Sequence, residues 1–199
     1  MIVVDVETTG LELEKHQIIS IGAVDFANPR ETYYKECRLS RGAKVSKKAL
    51  IIAGFTLAQL KDKRKPLLKE ILREFLRWTT TCKERTLAGE NIWFDVRFLQ
   101  HASRKYGLTW PFGHRYVDLH SVSYAARLRA RKRAMVADGV SSLSLDETLR
   151  FVGLKPRKGP HHALNDAKLE AEALSRLMYE KALLKEFSEY RLPSYLRYP

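Results

Sequence analysis

The chain has 199 residues, 45% of them hydrophobic and 30% charged, the balance of one folded domain and not of a disordered or fibrous chain. No apolar run approaches the ~20 residues needed to cross a bilayer, and two cysteines, Cys37 and Cys82, are too few for a disulfide framework or a cysteine-based zinc site. With 36 Lys and Arg against 23 Asp and Glu the net charge is +13, which points to phosphate-bearing partners ahead of an anionic membrane surface.

Residues 2–6 (Ile-Val-Val-Asp-Val) form a β-branched run that predicts a strand buried on both faces. After a turn at Thr8-Thr9-Gly10, residues 17–26 and 31–39 predict two more strands, and Asn28-Pro29 between them predicts antiparallel pairing. Thr56 and Gln59 make a capping-box pattern. Pro66 then opens a helix that carries Leu68, Ile71, Leu72, Phe75 and Leu76 on one face. Residues 85–88 predict a fourth strand leading into a helix over 93–106, and 115–118 a weak fifth strand with Asp118 capping the next helix. Ser144 and Glu147 form a second capping box for a helix over 144–152. A terminal helix over 161–184 turns Ala163, Ala167, Leu174, Leu177 and Met178 inward. Three strands followed by helices alternating with two more strands make one α/β domain with a mixed sheet. Two stretches read as peripheral. Residues 127–133 hold five Lys or Arg and predict a frayed helix end or loop, and residues 185–199 an irregular tail with apolar anchors. The N-terminus lacks the pattern of a signal peptide, and the expected location is cytoplasmic.

Three acidic groups carry the chemistry. Asp5 and Glu7 sit two apart in an otherwise apolar strand, so both point to one side of the sheet. Burying two carboxylates together costs several kcal/mol unless cations neutralise them, and hard divalent ions are the natural partner. A solvent-facing strand end or a pair of salt bridges would give the same pattern. Asp95 stands where the fourth strand gives way to a helix, the junction at which open α/β sheets bind ligands; a plain helix-start residue would stand there too. Asp166 follows His161 and His162 at the head of the last helix. That places a metal-binding carboxylate beside an imidazole able to take a proton from water, unless all three are surface residues.

Taken together and in order, VDVETTGL, ENIWFDVRFL and HHALNDA resemble the three exonuclease motifs of the DEDDh (DnaQ-like) superfamily, which includes the proofreading subunit of bacterial replicative DNA polymerase and ribonuclease T. ALIIAGFTLAQL and SLSLDETLRFVGL are similar to the family's intervening segments, so the resemblance spans roughly residues 2–180. It implies a ribonuclease H-like fold, an α/β five-stranded mixed sheet flanked by helices. It also implies a 3′–5′ exonuclease that releases nucleoside 5′-monophosphates from single-stranded nucleic acid, with two Mg²⁺ or Mn²⁺ ions per site. By the same resemblance Asp5, Glu7, Asp95 and Asp166 are the metal ligands. His161, five residues before the last aspartate, is the general base, with exchange of roles with His162 left open. Thr8, Thr9, Gly10 and Leu11 would cradle the terminal nucleotide through backbone N–H groups and a Leu11 wedge. Asn91 and Phe94 would line the neighbouring side, with Trp93 turned away by helical geometry. Glu90 departs from the family, which often has histidine there. The turn is closer to DNA proofreaders than to oligoribonucleases, so DNA is favoured over RNA. An RNA-trimming exoribonuclease and a non-catalytic nucleic-acid- or polymerase-binding module are the alternatives. The domain is expected over 1–184, with a basic insertion near 127–140 and a tail over 185–199. Lys155-Pro156-Arg157-Lys158 would guide the phosphate backbone, a polymerase would be a partner in trans, no membrane is involved, and monomer or homodimer stays open, the tail (Leu192, Tyr195, Leu196, Tyr198) packing on its own domain or serving a dimer.

Overall fold

A computed structural model gives the fold and describes residues 1–197. Strands β1 (Ile2–Thr8), β2 (Ile18–Asp25) and β3 (Thr32–Glu36) are followed by helices α1 (Lys47–Ala53), α2 (Leu57–Lys61) and α3 (Leu68–Thr79). Strand β4 (Leu87–Gly89), α4 (Trp93–Lys105), β5 (Val117–Asp118) and α5 (Leu119–Arg129) come next. A small hairpin, β6 (Val136–Ala137) with β7 (Val140–Ser141), then precedes α6 (Leu145–Phe151) and α7 (Ala163–Tyr179). The main sheet runs β3-β2-β1-β4-β5. The first three strands pair antiparallel, whereas β1–β4 and β4–β5 pair parallel, giving the expected five-stranded mixed sheet.

Strand β1 is buried on both faces because helices cover both. Ile2, Val4 and Val6 pack with Ile71, Leu72 and Phe75 of α3 and with Val96 and Leu99 of α4. Val3 faces the other way, into a cluster with Leu119, Leu149, Ala167 and Leu174. With a side-chain period of two, Asp5 and Glu7 share the Val3 face, the one that α7 covers. Gly22 on β2 stands opposite Asp5 and has no side chain for a reason. A Cβ there would lie 2.2 Å from the backbone of Ala163, so α7 begins in direct contact with the sheet. That close seat brings the His161–Asp166 segment alongside Asp5.

Most predicted caps form. Thr56 and Gln59 bond reciprocally at the start of α2, and the Asp118 carboxylate accepts the Ser121 N–H at 2.9 Å. The Ser144 box is half made: Ser144 accepts from Glu147, but the Glu147 carboxylate pairs with Arg150. Helix α7 ends at Tyr179, short of the expected 184. The chain turns at Glu180 in the left-handed region (φ 53°), and the buried Glu172 carboxylate then accepts the N–H groups of Leu183 and Leu184 at 2.8 and 2.9 Å. Met178, expected inward, is exposed. Arg176, paired with Glu172 at 2.7 Å, donates to the carbonyls of Phe187 and Tyr190 and ties down the segment that follows. In the tail Leu196 is buried in the α5–α7 cluster and Tyr195 donates to the Phe151 carbonyl, whereas Tyr198 lies outside the described residues. The basic run begins on the last turn of α5 and leads into the β6–β7 hairpin, which periodicity did not announce. Helix α1 was likewise unannounced by spacing; Ser46 starts it and Gly54, at φ 67°, stops it. Cys37 and Cys82 are both free and buried. Among the described residues no helix is long and apolar enough to cross a membrane.

Gly22→Ala is expected to cost about 1–3 kcal/mol by overpacking, read as a lower urea midpoint. A midpoint equal to that of the unsubstituted protein would show that α7 is not seated on β2.

Candidate active site

The site forms beyond the carboxyl ends of two parallel strands, because β4 is short. Its pairing with β1 stops at Val3–Ala88. The Val6 N–H, left without a strand partner, donates instead to Asp95 Oδ1 at 2.9 Å. Asp95 is 4% exposed in the first turn of α4, where the amino end of a helix tolerates negative charge. The turn between β4 and α4 is made by Asn91, which sits at φ 48°, a left-handed conformation that asparagine adopts more readily than most residues. Beside it opens a cavity of about 450 Å³ lined by Asp5, Glu7, Thr8, Leu11, Asn91, Trp93, Phe94, Asp95 and His161, together with Glu90 and Ile52.

The third motif closes the site from the α7 side. The His161 N–H donates to the Ile52 carbonyl at 2.7 Å, and Pro160 packs on Gly54, so α1 holds the loop before α7 in place. His161 Nδ1 lies 3.8 Å from Asp166 Oδ2. Ligand atoms of Glu7, His161 and Asp166 all fall within 4.8 Å of one another. His162 is engaged elsewhere: it caps α7, and its ring stacks on Tyr34 with centroids 4.4 Å apart.

Two of the expected cradle residues do not reach the cavity. Thr9 is fully buried, its N–H donates to the Gln17 carbonyl at 2.9 Å, and its hydroxyl donates to the Lys44 carbonyl. Gly10 is buried and backs onto the His16 ring, which a Cβ would strike at 2.4 Å. Both shape the turn from behind, while Thr8 and the 79%-exposed Leu11 present themselves to the cavity. Trp93, expected to turn away, joins Leu11 and Phe94 on the apolar wall, with the Arg97 guanidinium 5.3 Å over its ring.

The sequence matches the exonuclease family over residues 2–174. The chain belongs to the exonuclease family, in its DEDDh, DnaQ-like branch. It is 32% identical over 193 residues to the PolC-type DNA polymerase III of Thermotoga maritima, a match that takes in 94% of this chain and 13% of that protein. To the DNA polymerase III subunit epsilon of Aquifex aeolicus it is 26% identical over 179 residues, covering 90% of this chain and 80% of that one. The nuclease domain of 3′hExo, a DEDDh family member solved with rAMP, shares the fold with a TM-score of 0.68 at 19% identity, over 97% of this chain and 95% of that one.

Electrostatics in this DEDDh chain are dominated by the burial of several acids in one place, with their mutual charge adding to it. Burial, reinforced by the charges of Asp95, Glu7 and Asp166, pushes the Asp5 carboxyl well above the ordinary carboxylate range. Burial likewise raises Glu7 to about 7 and Asp95 to about 8, and it raises Asp166 despite the nearby Arg157. His161 is pushed down, first by burial and then by Arg157, which favours its neutral form. Among the described residues, buried oxygens of Asp5, Glu7, Glu90 and Glu170 lack any hydrogen-bond partner. Unpartnered carboxylate oxygens at this density are a donor set for a hard cation, and the residues present fit a divalent ion.

Sequence reasoning assigned no role at the site to three further groups. Glu90, raised to about 7 by burial and by Asp118, faces the cavity. Glu170 is 2% exposed and lies where a Cβ on Gly89 would be 3.2 Å from its Oε2. Its spacing of four from Asp166 on α7 puts both on one helix face, a signal that was there to be used. Ile52 belongs to a helix that spacing did not reveal.

The raised carboxylates fix the sign of a pH effect on stability. Between the ordinary carboxylate range and about 7 to 8, the folded chain holds protons on Glu7 and Asp95 that the unfolded chain has lost. Metal-free stability therefore falls as pH rises through that window. His161 works the other way, because its folded value lies below the unfolded one. The melting temperature in EDTA is expected to drop from pH 5 to pH 8, and added Mg²⁺ or Mn²⁺ to raise it more at pH 8 than at pH 5. A flat metal-free profile would mean that the carboxylates are not crowded as described.

Proposed function

We propose that this chain is a divalent-metal-dependent 3′–5′ exonuclease acting on single-stranded nucleic acid, DNA in preference to RNA, and releasing nucleoside 5′-monophosphates. The observation that supports it above the rest is the gathering of Asp5, Glu7, Asp95 and His161 around one cavity, with Asp166 3.8 Å from His161. On this reading Asp5, Glu7, Asp95 and Asp166 hold two Mg²⁺ or Mn²⁺ ions. When bound, the metals offset the negative charge of the phosphodiester and of the oxygens that attack and leave. A water oxygen attacks phosphorus and the bond to the 3′ oxygen of the preceding nucleotide breaks. His161, held neutral by its surroundings, takes the proton of that water. Its neighbour His162 is occupied as a cap and ring partner, which supports His161 as the base.

Leu11, Ile52, Trp93 and Phe94 give the terminal base an apolar, aromatic wall that accepts any base by stacking. Thr8 and Asn91 stand at its polar edge. The DNA preference rests on the named relatives, which are DNA polymerase III proteins. The name of the Aquifex subunit also supports a polymerase partner in trans, whereas the chain matches 13% of the length of the PolC-type protein. The exonuclease domain is proposed over 1–184 with the basic insertion near 127–140. The tail, anchored by Leu196 and Tyr195, serves the domain itself, which favours a monomer. A cytoplasmic location fits the same polymerase-linked role.

With Mg²⁺ or Mn²⁺ the protein is expected to shorten a 5′-labelled single strand in a ladder and to stop on addition of EDTA. Asp5→Ala and Asp166→Ala should each lower the rate more than about a hundredfold, because each removes a metal ligand. Unsubstituted rates surviving both changes would refute the assignment, and matched DNA and RNA oligomers decide the preference.

A further inference from the structure

The basic stretch 155–158 divides by direction. Lys155 lies over the Tyr190 ring and Lys158 is exposed, but Arg157 turns into the site. Its Nη1 donates to Asp166 Oδ2 at 3.1 Å and lies 3.4 Å from His161 Nδ1. Its Nε and backbone N–H donate to Asp146 Oδ1 at 3.0 and 3.2 Å. Asp146 stands in the first turn of α6 and is itself held there as a charged acid by the guanidinium. One arm of Arg157 is thus tethered outside the cavity, and the other meets two of the three groups that together make a cation-sized donor set. Arg157 also draws down the proton affinity of Asp5, Glu7 and Glu90, so its charge is felt across the cluster.

A guanidinium brings a full positive charge to the same Asp166 oxygen that a cation would use, so each disfavours the other there. We propose that Arg157 is a tethered counter-ion that competes with divalent cations for Asp166, and that its Nη1 arm moves off when a cation binds while Asp146 keeps the Nε side. The metal in this inference rests on the exonuclease reading above. The competition is a separate statement about Arg157. It gives the empty site a charge partner, and it sets the metal affinity lower than the carboxylates alone would allow. Displaced but still held by Asp146, the guanidinium stays next to the cluster, where an incoming phosphate would meet it.

The test is calorimetric titration of Mn²⁺ into the 199-residue chain at pH 8 without nucleic acid, alongside melting curves with and without Mn²⁺. Arg157→Gln is expected to bind Mn²⁺ about tenfold more tightly than the unsubstituted protein. It should melt lower in EDTA and gain more from Mn²⁺. Arg157→Lys, whose compact ammonium cannot span both carboxylates, should fall between the two, and Asp166→Asn should weaken binding. If Arg157→Gln and Arg157→Lys bind Mn²⁺ equally or more weakly while Asp166→Asn still weakens it, Arg157 only positions Asp166 and the competition is refuted. If the unsubstituted protein binds no Mn²⁺, this inference and the metal-dependent reading fall together.

Discussion

Negative charge crowded into a notch that protein has largely dried is the constraint from which the rest of this structure follows. Glu7, Asp95, Asp166 and Glu170 are buried around Asp5, and several of their oxygens have no donor facing them. Each carboxylate is costly there alone, and each raises the cost of its neighbours. Folding tolerates the arrangement because protons can stay on the acids, because Val6 and Arg157 donate to two of them, and because a cation can enter. Carboxylates held against their own burial and charge cost local stability, which is a common feature of functional centres.

What holds the acids together is backbone proximity and not attraction between them. Strand β4 ends early and leaves an N–H for Asp95 to take, which pins α4 to β1. Gly22 lets α7 lie on β2 beside Asp5, and the Ile52 carbonyl holds the loop that precedes α7. Three elements far apart in sequence are fixed by one missing ladder bond, one missing side chain and one loop hydrogen bond. None of the three depends on a metal, so the donor set is organised before any cation arrives. A preorganised set avoids the cost of ordering its ligands on binding.

Much of this was legible in the residues, and the reasons differ by element. Alternation placed Asp5 and Glu7 on one face, and that logic needs only the period of a strand. The five apolar positions of α3 are buried as their spacing required. Asp118 caps α5, and Thr56 with Gln59 caps α2, because such caps are made by residues close in sequence. Failures came where distant contacts decide. The 161–184 helix stops at Tyr179 because buried Glu172 captures Leu183 and Leu184 from outside it. Thr9 was assigned to the cradle, yet its N–H belongs to Gln17 across the turn. Trp93 lines the cavity, which helical spacing alone did not place there. Arg157 looked like one cation among many, since nothing local says that Asp146 will aim it inward.

The same crowding explains why an acidic centre sits in a chain of net charge +13. The basic surface draws a polyanion from a distance, with a strength that salt reduces. At the notch the sign reverses, and a phosphate approaching the bare carboxylates is repelled. On the proposed reading, strand end and divalent cation therefore favour each other's binding at this site. By linkage the factor by which the cation tightens the strand equals the factor by which the strand tightens the cation. Arg157 moderates that coupling, because before a cation arrives it supplies part of the positive charge that a phosphate needs. On that reading the basic surface holds a strand at a distance, and the cation completes the site at its end.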